Sequence, residues 1–165
     1  MTNPTANTAQ KYLEKGLGYY NRGELNEAVE AYHKAIELRG GQFPKAYFNL
    51  GRALSDLGEL DASVQAYRSA IEQQQRNPEC YYYLGLTLAR KGMLAEAVSA
   101  YRTAIEQRDG VYAWAYHNLG LVLTRTGDFE SAVQAHKKAI DQRQGDFPKA
   151  YYHLGLALSR KGDLP

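Results

Sequence analysis

Residues 44–72 read PKAYFNLGRALSDLGELDASVQAYRSAIE, and this stretch decides the fold. Tyr47, Leu50, Gly51 and Leu54 stand at i, i+3, i+4 and i+7, the spacing of one helix face. Gly58 then breaks the pattern, at a place where a left-handed residue ends a helix with least strain if it is glycine. A second helical pattern follows. It is plainest in residues 25–37, LNEAVEAYHKAIE, where Ala28, Val29, Tyr32, Ala35 and Ile36 share one side. Strand-like alternation occurs nowhere. The stretch is a helical hairpin, helix A then helix B.

The hairpin recurs along the chain. Gly16, Gly51, Gly85, Gly120 and Gly155 follow one another at steps of 35, 34, 35 and 35 residues. Gly23, Gly58, Gly92, Gly127 and Gly162 keep the same steps. The copies are 9–43, 44–77, 78–112 and 113–147, with a half copy over 148–165, and the polar stretch 1–8 is expected to be a disordered tail. Positions are counted so that the first glycine of each copy is position 8. That glycine lies inside helix A, where it costs about 1 kcal/mol relative to alanine. Its recurrence predicts that a neighbouring helix comes close to the backbone there. Pro44, Pro78 and Pro148 open the next helix A, and Phe43, Tyr112 and Phe147 just before them read as hydrophobic staples.

Copy two carries Tyr47, Leu50, Gly51, Leu54, Ser63, Tyr67 and Ala70, and copy three carries Tyr81, Leu84, Gly85, Leu88, Ala97, Tyr101 and Ala104. This pattern resembles the tetratricopeptide repeat, a 34-residue helix–turn–helix unit, over residues 9–165. The resemblance implies an all-α, right-handed α-solenoid superhelix, four full repeats plus one extra helix, with helix A lining a concave groove. One departure is the place of the usual closing proline, which holds Gly40, Gln75, Asp109 and Gln144. Pentatricopeptide repeats, which read RNA, fit the small residues at positions 8, 20 and 27 poorly.

Position 4 is tyrosine in every copy (Tyr12, Tyr47, Tyr81, Tyr116, Tyr151) and position 24 is Tyr32, Tyr67 and Tyr101. These read as core, and Cys80 reads as a small buried residue. The opposite side of helix A should be polar if it only faces water. Instead it carries Phe48, Tyr82, His117 and Tyr152 at position 5, with Asn49, Tyr83, Asn118 and His153 at position 6. Arg52, Leu86, Leu121 and Leu156 stand at position 9, the single tryptophan, Trp114, at position 2, and Arg90, Arg125 and Arg160 at position 13. An exposed apolar strip of this kind marks a binding surface. These sixteen residues are the candidate peptide-binding set: aromatic anchors, asparagines that can meet a peptide backbone, and an arginine edge suited to carboxylates.

The chain has 165 residues and a net charge of +2, without the basic excess of a nucleic-acid binder. It shows no run long enough to span a membrane and no apolar leader. Its one cysteine excludes an internal disulfide, and a reducing, cytoplasmic setting is expected. No phosphate loop, zinc-type cysteine pairing or nucleophile elbow is present, so no enzyme activity and no cofactor are expected. His117 and His153 lack a carboxylate partner and make a weak metal site, and His33 and His136 read as surface or packing residues. The carboxylate clamp of chaperone-binding relatives is matched only at Asn49. The expected function is a non-enzymatic scaffold that holds a protein or peptide with apolar and acidic side chains. The alternative is a self-assembling structural segment of a larger repeat protein, associating through the C-terminal helix, and single-stranded RNA binding is less favoured. Helix A of the half copy carries Tyr151, Leu154 and Leu158 on its core face, so that end is expected to be sticky: either the native protein continues beyond it or two chains dock there.

Overall fold

A computed structural model describes residues 4–162. Among them are nine α-helices and no strand: α1 Pro4–Asn21, α2 Leu25–Leu38, α3 Pro44–Leu57, α4 Leu60–Gln73, α5 Pro78–Lys91, α6 Leu94–Glu106, α7 Ala113–Thr126, α8 Phe129–Gln142 and α9 Pro148–Lys161. The described residues form two compact units, divided between Thr87 and Leu88. In the first, α1 packs on α2, α2 on α3 and α3 on α4. In the second, α6 packs on α7, α7 on α8 and α8 on α9. None of these helices is long and apolar enough to cross a membrane. The tail expected over 1–8 is corrected in part. Helix α1 starts at Pro4, where proline's fixed φ suits the first helical turn, and Ala9 is already buried beside Leu13 in the core. Residues 1–3 lie outside the described residues.

Three of the hairpins close on the glycine inside helix A. A Cβ built on Gly16 would lie 2.5 Å from the Tyr32 ring, on Gly51 2.7 Å from the Tyr67 ring, and on Gly120 2.7 Å from the His136 ring. The glycine costs helix propensity and in return lets a helix-B ring lie on bare backbone. The position-24 rings are the buried ones. The position-4 tyrosines Tyr12, Tyr47, Tyr81 and Tyr116 are only half-buried, and Tyr151 is exposed. Tyr47, Tyr116 and Tyr151 set their hydroxyls beside the turn glycines Gly41, Gly110 and Gly145.

The missing closing proline has a geometric cause. Gly40, Asp109 and Gln144 have φ of 58°, 52° and 52°, and Gly41, Gly110 and Gly145 follow at 81°, 79° and 86°. Proline's φ is locked near −65°, so it cannot occupy the first of two left-handed residues. The extra residue of the 35-residue copies is thus taken up in the turn. Gln73 and Gln142, at the ends of α4 and α8, donate to the Gly41 and Gly110 carbonyls at 2.8 and 2.6 Å. The staple reading is also corrected. Phe43, Tyr112 and Phe147 are themselves the N-cap residues, with no side-chain capping bond. Phe43 and Phe147 are buried plugs, and Arg39 and Arg143 lie over their rings at 5.1 and 5.7 Å.

Candidate functional site

In the first unit the unusual face of helix A is built around Arg52. Its guanidinium lies 4.7 Å from the Tyr20 ring centroid, 5.4 Å from Tyr83 and 5.9 Å from Phe48. Phe48 meets Tyr83 edge-on at 5.6 Å, and Tyr83 meets Tyr82 at 5.3 Å. Arg52 Nη2 donates to the Tyr20 hydroxyl at 3.3 Å, and that hydroxyl donates to Asp56 Oδ2 at 2.5 Å. Burial first, then the bond to Asp56, holds the Tyr20 phenol above its ordinary range. A cation caged by π-faces is attracted by their quadrupoles, so Arg52 is positioned rather than mobile. Phe48, Tyr82, Tyr83, Arg52 and Leu86 are half-buried. Asn49 is not a free peptide contact. It is 5 % exposed, and its Nδ2 donates to the Lys45 carbonyl one turn back at 2.8 Å. Position 6 here turns inward enough for the short amide to bond its own helix.

Tyr20 and Asp56, at positions 12 and 13, complete this arrangement and escaped the sequence-derived set. Their signal was their place on the same helical face as Arg52. Cys80 is buried as expected. Its Sγ donates to the Tyr67 carbonyl at 3.5 Å, and burial pushes its pKa up to about 12.

In the second unit Trp114 is 41 % exposed and packs edge-on against Phe147 at 4.7 Å. Tyr152 is 70 % exposed and Leu156 also reaches solvent. Leu121, Asn118 and His153 are half-buried. Arg90, Arg125 and Arg160 are exposed, as an arginine edge requires, but Arg125 Nη1 is bonded to the Ala89 carbonyl at 3.0 Å.

His117 departs from the expectation. It is 4 % exposed, because position 5 here packs inward against the next turn, with Phe147 at 5.1 Å. It forms a cluster with His136 at 5.3 Å and His153 at 5.4 Å, while His136 and His153 stack at 5.9 Å. His136 occupies position 24, the place of the core tyrosines, and is fully buried. Nδ1 of His117 and both ring nitrogens of His136 are buried with no hydrogen-bond partner. Burial above all holds His117 and His136 at about 4, with His153 and Lys149 adding to the effect on His117. Burial also lowers His153. All three are neutral at pH 7. Among the described residues no three His, Cys, Asp or Glu donors are placed to hold a metal ion. The cluster is core packing with imidazole in place of phenol.

Sequence profiles described as "Tetratricopeptide repeat" and "TPR repeat" match residues 78–145 and residues 16–58 and 51–92. No curated protein matches the chain in sequence. Among solved structures, a MamA protein is 28 % identical, with a TM-score of 0.87 over 94 % of this chain and 83 % of that one. YrrB, described as "a TPR protein with an unusual peptide-binding site", is also 28 % identical, with a TM-score of 0.78 over 87 % of this chain and 73 % of that one. A MamA fragment from Desulfovibrio magneticus RS-1, 21 % identical, shares the fold at a TM-score of 0.88 over 99 % of this chain and 89 % of that one. With its hairpins, its covered glycines and these matches, the chain belongs to the tetratricopeptide-repeat family.

Proposed function

We propose that the protein is a non-enzymatic interaction scaffold that binds a peptide or partner helix on the helix-A faces. The observation that carries this is rigid aromatic area left open on those faces: Trp114 at 41 % and Tyr152 at 70 % exposure. Large aromatic side chains are typical energetic anchors of interfaces. Arg90, Arg125 and Arg160, exposed near the C-terminal ends of α5, α7 and α9, suit a partner that carries Asp, Glu or a chain terminus as well as apolar residues. The peptide-binding site named for YrrB supports the same class of ligand here.

The test is selection of binders from a displayed peptide library on the native protein, followed by titration of the winners against variants. Trp114→Ala and Tyr152→Ala should each weaken binding by about 2 kcal/mol or more with helical circular dichroism unchanged. Arg160→Glu should slow association and reduce its salt dependence. Peptides that bind every variant as they bind the parent would exclude this face. Self-assembly is the second reading, favoured by the exposure of both Tyr151 and Tyr152 on α9. A mass that rises with concentration in sedimentation would support it.

A further inference from the structure

Three of the chain's four histidines meet in one place, on three consecutive helices: His117 on α7, His136 on α8 and His153 on α9. Packing does not require them. Position 24, held by His136, is filled elsewhere by Tyr32, Tyr67 and Tyr101, and position 5, held by His117, by Leu13, Phe48, Tyr82 and Tyr152. Nδ1 of His117 and both ring nitrogens of His136 are buried without a hydrogen-bond partner, although buried polar atoms normally find one. A tyrosine in that place gains no charge in acid, and an imidazole does. The cluster is also the floor under the exposed anchors. Trp114 lies edge-on to His117 at 6.2 Å and to Phe147 at 4.7 Å, and His117 lies 5.1 Å from Phe147. Tyr152 lies edge-on to His153 at 5.0 Å.

We propose that the cluster makes partner binding proton-dependent: uptake of protons by these imidazoles drives the rings apart and undoes the Trp114 and Tyr152 surface above them, so that a partner held at neutral pH is released in mild acid. This rests on the reading of the helix-A faces as the binding surface. Geometry supplies the force. A proton on His136 sits between two other imidazoles, 5.3 and 5.9 Å away. The titratable groups that act on the cluster are its own members and Lys149 of α9, every one a cation when charged. Among the described residues no carboxylate of α6, α7, α8 or α9 acts on it. Burial first, then this like charge, holds His117 and His136 at about 4, against 6.5 for an imidazole in water. The closed face therefore binds fewer protons than an opened one, and acid favours opening. From pH 7 to pH 5 the two histidines together shift the balance towards the open face by about 500-fold. Burial lowers His153 in the same direction.

Trp114 is the chain's single tryptophan, so its fluorescence reports on this face. With the full 165-residue protein, emission should change between pH 7 and pH 5 along a curve steeper than one proton, while circular dichroism at 222 nm keeps its pH 7 value. His136→Tyr should make the curve shallower and move it to lower pH, and His33→Gln, on exposed α2 surface, should leave it unchanged. By NMR the three ring-proton signals of the parent should titrate together with the emission. Histidine-free peptides selected from a displayed library at pH 7 should bind at least tenfold more weakly at pH 5. To the double variant His117→Phe, His136→Tyr they should bind within threefold of the same affinity at both pH values. Emission unchanged down to pH 5, loss of helix in step with it, or separate titration of the three rings would overturn the proposal. So would peptides that hold equally at both pH values, or that weaken equally on parent and double variant; these results leave the binding face standing. A library that yields no binder at pH 7 refutes the binding face itself, and the proton dependence with it, whatever the emission does.

Discussion

The glycines at position 8 offer a sharp energetic test, because one substitution at equivalent positions should change sign along the chain. Replacing glycine by alanine inside a helix gains about 1 kcal/mol from propensity and from the smaller entropy of the unfolded chain. At Gly155 nothing opposes this gain, since a Cβ there has no neighbour within 4 Å. Gly155→Ala should therefore stabilise by up to about 1 kcal/mol. At Gly51 the new Cβ would sit 2.7, 2.8 and 3.0 Å from three atoms of the Tyr67 ring. That ring is fully buried and packed against Phe48 at 6.1 Å, so it cannot swing away as a surface side chain would. Overpacking of this kind costs about 1–3 kcal/mol or more. The net for Gly51→Ala is a loss of up to about 2 kcal/mol, and Gly16→Ala and Gly120→Ala should share its sign. Urea unfolding followed by circular dichroism at 222 nm measures the series. A double-mutant cycle adds the cause: in a Tyr67→Leu background, Gly51→Ala should lose most of its penalty. If Gly51→Ala and Gly155→Ala shift stability equally and in the same direction, the close approach of ring and backbone is not what keeps these glycines.

Acid should destabilise the second unit through its buried imidazoles. His117 and His136 are held at about 4 against 6.5 in the unfolded chain, so the unfolded chain binds more protons between those values. Their contribution is complete above pH 6.5 and lost as pH falls towards 4; at pH 5 the loss is about 2 kcal/mol for each. Urea midpoints at pH 7 and 5 read this, and His136→Tyr, which restores the usual ring, should remove roughly half of the loss; an unchanged loss would refute the linkage. The Cys80 thiol, raised to about 12 by burial, should ignore a disulfide reagent at pH 8 in the folded protein and react at once in 6 M guanidinium, because only the thiolate attacks. Rapid labelling of the folded protein would place Cys80 outside the core.

Hairpins, turns and family were legible in the residues because they rest on local physics. Helical spacing of apolar side chains, glycine at left-handed caps and proline at first turns are properties of a few consecutive residues, and the near-constant repeat multiplies the signal. The glycine at position 8 even announced a close neighbour. The candidate face was legible as a face, and Phe48, Tyr83 and Trp114 lie on it.

What a single position does there was settled only by packing. Asn49 and Asn118 share position 6, yet the first is buried against its own helix while the second is half-buried. His117 and Tyr152 share position 5, and one is sealed in a histidine cluster while the other stands in solvent. His136 looked like a surface or packing residue and lies in the core because position 24 faces a glycine. Periodicity tells which way a side chain leaves its helix. How deep it ends up depends on which residues of other helices and turns are laid against it.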